Sequence, residues 1–208
     1  MTEYYEERRG RGHGGCGFVL TLILVLLVIG GVLFFTTNLF AGYKNKVLEN
    51  FYPQKYSEYV SKYAEEFQVD EALVYAVIRC ESGFREEVES QAGAIGLMQL
   101  MPETFSWLQM HKDGEETHSA SDLLNPEINI EYGTYYLSWL IQKYGVENTA
   151  VAAYNAGVTN VDSWLSDPAY SSDSKTLSSI PYHETKEYVD KVENTKKMYK
   201  EIYYSAKN

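Results

Sequence analysis

From position 18 to position 40 the chain runs FVLTLILVLLVIGGVLFFTTNLF, predominantly apolar and without a charged residue. Beyond it the apolar residues thin out and recur at three- and four-residue spacing, the signature of helices with one buried stripe. PQKYSEYVSKYAEEF, Pro53 to Phe67, is polar with aromatics at helical spacing and predicts an amphipathic opening helix. Asp70 supplies an N-cap and Glu71 a first-turn acid for a helix over Glu71 to Cys80, apolar on nearly every face except at Arg79. Asn125-Pro126 repeats the start signal, a capping side chain followed by proline at the first helical position, and opens a helix to Tyr144 that Gly145 ends. A shorter apolar helix spans Glu147 to Ala156 and stops at Gly157, and a last one covers Glu184 to Tyr203. The polar stretches Lys112 to Ser121 and Ser166 to Ser179 read as surface loops. No segment alternates with a period of two and no internal repeat is found, so an all-α domain is expected.

The apolar run is long enough for a bilayer span, which needs about 20 residues. A removable signal peptide is the alternative, but its apolar core is usually about 7–15 residues followed by small residues, and Leu39-Phe40-Ala41 is a poor cleavage site. The expected organisation is a glycine-rich cytoplasmic tail over 1–17, a transmembrane helix over 18–40, a linker over 41–52 and one helical domain over 53–208. Arg8, Arg9 and Arg11 before the span against Lys44 and Lys46 after it favour an inside N-terminus, with the domain outside the cell or in the periplasm.

Charge narrows the function classes. Acids and bases cancel in the tail, so the net −11 belongs to the outer part. That argues against nucleic acid as partner and requires any anionic wall polymer to be held by a shaped site. Cys16 and Cys80 fall on opposite sides of the expected membrane and cannot pair; Cys80, in an apolar run, reads as a small core residue. His111 and His118 lie in a polar stretch without ligands at zinc-like spacing, so neither metal nor cofactor is expected.

The candidate chemistry sits in VIRCESGF, Val77 to Phe84, where a buried helix runs into Glu81. Desolvation and the negative end of the helix dipole both disfavour an ionised carboxylate there, which suits a general acid near neutral pH. A solvent-facing glutamate closed off by Ser82-Gly83 is the plainer reading of the octapeptide alone.

The downstream residues change that balance. Glu81-Ser82, Ser90, Gly93-Ala94-Ile95-Gly96-Leu97-Met98-Gln99 and Met101-Pro102-Glu103-Thr104 resemble, without a gap, the signature of the soluble lytic transglycosylase family of the lysozyme-like superfamily. LLNPEINIEYGTYYL (123–137), AVAAYNAG (150–157) and IPYHETKEYVDKV (180–192) are similar to its later blocks, in family order. Three positions depart from the pattern: Lys186 replaces an arginine, Val158 a proline, and Arg85-Glu86 an Asn-Pro. The resemblance implies a goose-type, lysozyme-like helical domain acting on peptidoglycan glycan strands, with Glu81 as sole acid and base. It further implies that Ser90, Gln99, Met101, Tyr154, Asn155 and Tyr188 face the sugar or brace Glu81. Ser82, Gly93, Gly96 and Glu184 then shape the surroundings, Glu184 by anchoring its own helix. A hydrolytic muramidase of the same fold, using Glu86, Glu87, Glu103 or Asp122 to position water, stays open, as does a non-catalytic wall-binding module of an envelope complex.

Overall fold

A computed structural model describes residues 25–36 and 46–205. Two units separate in it, one up to Asn50 and one from Phe51 onward. In the first, 25–36 and 46–50 are helical. No helix of the described residues is long and apolar enough to cross a membrane. The expected tail over 1–17, Cys16, and the expected span at 18–24 and 37–40 lie outside the described residues.

The second unit is helical, as the periodicity predicts. Its helices are α1 (Ser57–Glu66), α2 (Glu71–Glu81), α3 (Pro102–Lys112), α4 (Pro126–Tyr144), α5 (Glu147–Ala156), α6 (Val158–Ser166) and α7 (His183–Tyr199). A 3-10 turn at Ala120–Leu124 and a π turn at Lys200–Tyr204 complete it. Among the described residues the only extended pairings are single bridges from Ile95 to Glu89 and to Leu100. The sequence-predicted start signals act as expected. Asp70 accepts from the Ala72 N–H at 3.0 Å, and Asn125 accepts from the Glu127 N–H at 2.9 Å with Pro126 behind it. Each such cap is worth about 1 kcal/mol. Gly145 closes α4 in the left-handed region that a Cβ would disfavour.

Two boundaries and two further helices differ from expectation. The opening helix begins four residues late, at Ser57, because Tyr56 takes a left-handed backbone that no helix continues. The closing helix yields its regular pitch at Tyr199 and ends in the π turn. Helices α3 and α6 arise where no capping side chain marks a start: Met101 and Gly157 precede them without a side-chain hydrogen bond.

Helix α2 is the axis of the unit. Ala72 through Ile78 are seven successive buried residues, so every face of the helix is covered. Helix α7 packs along it, antiparallel: Tyr188 lies near Glu81, Thr195 receives the Cys80 thiol at 3.7 Å, and Lys196 pairs with Asp70. Tyr75 of α2 stacks on Tyr199 of α7 at 5.1 Å, and fully burying such side chains stabilises by about 1.5–3 kcal/mol each. Lys196 also bonds both oxygens of Glu147 at 2.7 Å, tying the N-termini of α2 and α5 to α7. The C-terminal end is fastened to the start of the unit. The Tyr199 and Tyr203 hydroxyls donate to the carbonyls of Pro53 and Tyr52 at 3.0 and 2.8 Å, and Gln54 donates to the Tyr204 hydroxyl at 3.1 Å.

The irregular segment between α2 and α3 is held by one buried side chain of α4. Asn129 accepts from the Met98 N–H at 2.7 Å and donates to the carbonyls of Ile95 and Leu123, both at 2.9 Å. Gly96 leaves no room for a side chain: a Cβ would lie 2.3 Å from the Asn129 amide nitrogen and from the Leu123 carbonyl oxygen. One turn along α4, Gly133 receives the buried Met98 side chain in the same way. Asn129→Ala would strand one N–H and two carbonyls, at about 1–3 kcal/mol each before relaxation. We expect a net loss of about 3 kcal/mol and a fall in Tm of roughly 6–12 °C, read by thermal circular dichroism of the full chain. An unchanged midpoint would refute this role for Asn129.

Candidate active site

Glu81 is the last residue of α2, and the helix ends there by a local device. The Ser82 N–H and Oγ both bond the Ile78 carbonyl, at 3.1 and 3.2 Å, and Ser82 is buried. Gly83 and then Phe84 take left-handed backbone, so the chain turns sharply away and Phe84 is driven into the core. Arg85 closes the turn by donating to the Ser82 carbonyl at 2.8 Å. Glu81 itself is only partly exposed.

Burial pushes the Glu81 carboxyl up from its ordinary 4.5 to about 7. Two neighbours oppose it more weakly, the Tyr188 hydroxyl and the Lys191 ammonium. Among the described residues the Tyr188 hydroxyl is buried without a well-formed hydrogen bond, although it approaches Glu81 closely enough to favour its charged form. Burial and the nearby Glu81 also raise the hydroxyls of Tyr188 and Tyr154 well above the ordinary tyrosine range, so both stay protonated donors. Lys191 is fixed by donating to the Cys80 carbonyl at 3.2 Å. No second carboxylate acts on Glu81 among the described residues.

Gln99, Met101, Tyr154 and Asn155 come together around one cavity of about 220 Å³, with Thr104, Tyr136 and Gly157. Tyr154, at the end of α5, donates to the Met98 carbonyl at 2.8 Å, so its hydroxyl braces the loop that Asn129 holds. Gln99 adopts a left-handed backbone, and its amide donates to the carbonyls of Val88 and Gly96 at 3.0 and 2.8 Å. Expected to offer both a donor and an acceptor, it has Oε1 left as its acceptor. Asn155 is exposed, and Met101 immediately precedes α3 at the cavity wall. Ser90 stands apart from this cavity: its Oγ accepts from the Ala94 N–H at 2.9 Å and closes the turn through Gly93. Glu184 is exposed in the first turn of α7, where negative charge suits the helix dipole.

The remaining carboxylates considered from sequence are engaged or peripheral. Glu86 accepts from the Tyr56 hydroxyl at 2.7 Å, and Asp122 caps the Ser119 turn at 2.8 Å. Glu87 is exposed, and Glu103 sits on the rim of a neighbouring cavity. Lys186 points to solvent and pairs with Asp190 at 3.3 Å. Among the described residues no group of three or more His, Cys, Asp or Glu could hold a metal ion. A separate cavity of about 490 Å³ lies against Val146 to Thr149 and the 176–180 loop, with Lys186 on its wall.

Residues that sequence reasoning left without a role are Asn129 and Lys191. Each acts across the fold: Asn129 on backbone 31 and 34 residues away, Lys191 on a carbonyl 111 residues away.

Comparison with known proteins gives one family. The model of the transglycosylase SLT domain matches residues 58–177. Soluble lytic murein transglycosylases of Salmonella typhimurium and Escherichia coli K12 are 35% identical over 147 residues, covering 70% of this chain and 23% of theirs. A membrane-bound lytic murein transglycosylase C of Edwardsiella ictaluri is 33% identical over 174 residues, covering 71% of this chain and 47% of that protein. The 70 kDa soluble lytic transglycosylase of Escherichia coli superposes with a TM-score of 0.65 at 32% identity, covering 74% of this chain and 25% of its own. An inactive mutant of a lytic transglycosylase from Pseudomonas aeruginosa gives 0.64 at 30%, with the same coverage. The chain thus spans about a quarter of the length of the soluble relatives it matches.

The raised Glu81 pKa has a consequence for stability. The folded chain keeps a proton that the unfolded chain releases between about pH 4.5 and 7, so stability is lost as pH rises through that window. Glu81→Gln, neutral throughout, is expected to melt above the parent at about pH 8, with the gap closing towards about pH 5. A difference independent of pH would show that Glu81 is not held protonated.

Proposed function

The chain belongs to the transglycosylase SLT domain family, and on that premise we propose that it cleaves the β-1,4 bond between N-acetylmuramic acid and N-acetylglucosamine in peptidoglycan without net hydrolysis. The observation that carries this reading is a single, partly buried carboxyl with its pKa near 7 and no second carboxylate acting on it. Ordinary glycosidases need two, about 5–5.5 Å apart when retaining and about 6.5–9.5 Å when inverting. Here one group serves twice. Protonated Glu81 gives its proton to the glycosidic oxygen as the bond to the muramic acid C1 breaks. The carboxylate so formed accepts the proton of the muramic acid 6-hydroxyl as that oxygen bonds C1. The product is a 1,6-anhydro ring, water is not consumed, and Glu81 ends protonated.

The neighbouring residues support these two states. Burial favours the acid before cleavage, and the Tyr188 hydroxyl with the Lys191 charge limits the cost of the transient carboxylate. Gln99, Met101, Tyr154 and Asn155 line the sugar cleft in this reading, Gln99 accepting through Oε1. Ser90 shapes the loop rather than touching sugar. The alternative in which water attacks needs a second carboxylate at Glu81. The engaged Glu86 and Asp122 do not favour it. The apolar run at 18–40 would anchor the domain over 53–208 outside the membrane, with 1–17 inside and 41–52 as linker, as suits a chain similar to an enzyme named membrane-bound. The substrate would then be glycan close to the membrane, and other envelope proteins are possible partners.

The full chain, incubated with purified sacculi, is expected to release 1,6-anhydro-muropeptides by mass spectrometry. Glu81→Gln should release them at least about 10²-fold more slowly. Reducing ends instead would replace this reading with the hydrolytic one, and no release from the parent would favour a binding module. Tyr188→Phe removes a group that favours the carboxylate, so the alkaline limb of the pH–rate profile should move to higher pH. An unmoved limb would leave Tyr188 with a packing role only.

A further inference from the structure

The chain between Glu81 and Gln99 has no regular helix, and Arg85 to Val88 within it lie at the surface, exposed or half-buried. Packing alone does not fix such a segment; side-chain hydrogen bonds do. Arg85 bonds back to the Ser82 carbonyl at 2.8 Å, and the Gln99 amide donates to the Val88 carbonyl at 3.0 Å. Between these two, Glu86 accepts from the Tyr56 hydroxyl at 2.7 Å, a partner 30 positions earlier in the chain. Of the three bonds it alone reaches outside the loop. Tyr56 is itself an outlier: its φ of 58° is left-handed, which a bulky residue rarely adopts and keeps only where its surroundings impose it. Its support is firm on both sides. The Tyr203 and Tyr199 hydroxyls hold the carbonyls of Tyr52 and Pro53, Arg79 lies over the Tyr52 ring at 4.4 Å, and the Tyr56 carbonyl accepts from the Val60 N–H at 3.0 Å. Burial and the nearby Glu86 push the Tyr56 hydroxyl up to about 12, so it stays a donor at neutral pH.

We propose that the Tyr56–Glu86 bond is a latch that positions the cleft for cleavage, holding segment 85–88, and through it Gln99, in register with Glu81. The inference rests on the reading of the Glu81 cleft as the place where glycan is cleaved. Two observations make the latch a device of this chain and not of the shared pattern. Glu86 stands where that pattern has a proline, whose side chain offers no acceptor. Tyr56 lies ahead of the residues 58–177 that the family model matches. The route from latch to cleft is short. Glu86 follows Glu81 by five residues and precedes Val88 by two. The Val88 carbonyl takes both the Gln99 amide and the Gly96 N–H, the latter at 2.8 Å. With the latch open, that carbonyl moves with a freed segment, and Gln99 loses the fixed partner that aims its remaining acceptor. Tyr56 and Glu86 touch no sugar in this scheme; they are positioning residues.

The test measures the initial rate at which the full chain releases muropeptides from purified sacculi, by mass spectrometry. It is run at a temperature where circular dichroism shows every variant folded, so that lost stability is not read as slow chemistry. Misplacing a reacting group by about 1 Å can cost about 10²-fold, and a loop freed at one of its bonds should lose less. Tyr56→Phe and Glu86→Leu are therefore each expected to slow release about tenfold. The double variant should be no slower than either single one, because both remove the same bond. Glu86→Gln should keep most of the parent rate, since it still offers the hydroxyl an oxygen. A glutamine cannot act as a base, so this rescue also separates the latch from a Glu86 that positions water. Parent-like rates in Tyr56→Phe, additive losses in the double variant, or a Glu86→Gln as slow as Glu86→Leu would each overturn the latch and leave the Glu81 reading intact. Reducing ends from the parent, slowed alike in the variants, would keep the latch and replace the transglycosylase reading. Failure of the parent to release any muropeptide would overturn both.

Discussion

The Asn129 side chain joins three pieces of backbone that have no regular structure in common: Met98, Ile95 and Leu123. An irregular loop is usually a surface feature because its backbone groups need water. Here the loop is buried at Gly96, Leu97 and Met98, and an amide that is both donor and acceptor replaces the water. Tyr154 adds a fourth bond, to the Met98 carbonyl. The cleft wall formed by Gln99 and Met101 therefore inherits its position from α4 and α5, two helices far along the chain. Gly96 and Gly133 are the spatial conditions for that arrangement, since each gives up the volume that Asn129 or Met98 occupies.

The second constraint is electrostatic and acts against stability. A helix buried on all sides ends in a carboxyl, beside a tyrosine hydroxyl left without a well-formed partner. Nearby, Phe84 and Gln99 occupy left-handed backbone that non-glycine residues rarely adopt. Such features cost of order 1–3 kcal/mol each. The stacked tyrosines and the Lys196 network at the opposite end of α2 are ordinary stabilising contacts. Costs of this kind are not confined to the Glu81 end, since the Tyr75 hydroxyl is buried without a partner and Gln68 is left-handed.

What could be read beforehand follows the range of the interactions. Helices α2, α4 and α5 were legible because Asp70, Asn125-Pro126, Gly145 and Gly157 announce their limits locally. Helices α3 and α6 were not, since neither start carries a capping side chain and Pro102 is the one local start signal at α3. The importance of Glu81 was legible from the motif downstream, since the apolar residues before it left a solvent-facing glutamate as the plainer local reading. The closeness of Tyr188 rested on a motif and not on spacing, because 107 positions separate the two. Ser90 and Gln99 stood in the expected blocks, yet their hydrogen bonds to Ala94, Val88 and Gly96 depend on a loop shape that no periodicity encodes. Trp107 and Trp139 lie on different helices and give no joint signal along the chain.

The tyrosine bonds from the last helix to Tyr52 and Pro53 place the beginning and the finish of the second unit side by side. A polypeptide that leaves the unit at the π turn is already next to where it came in. Such a unit can be spliced into a longer chain as a cassette, because its neighbours on either side need not be stretched around it. A similar lysozyme-like module can thus make up most of one chain and about a quarter of a much larger one in another.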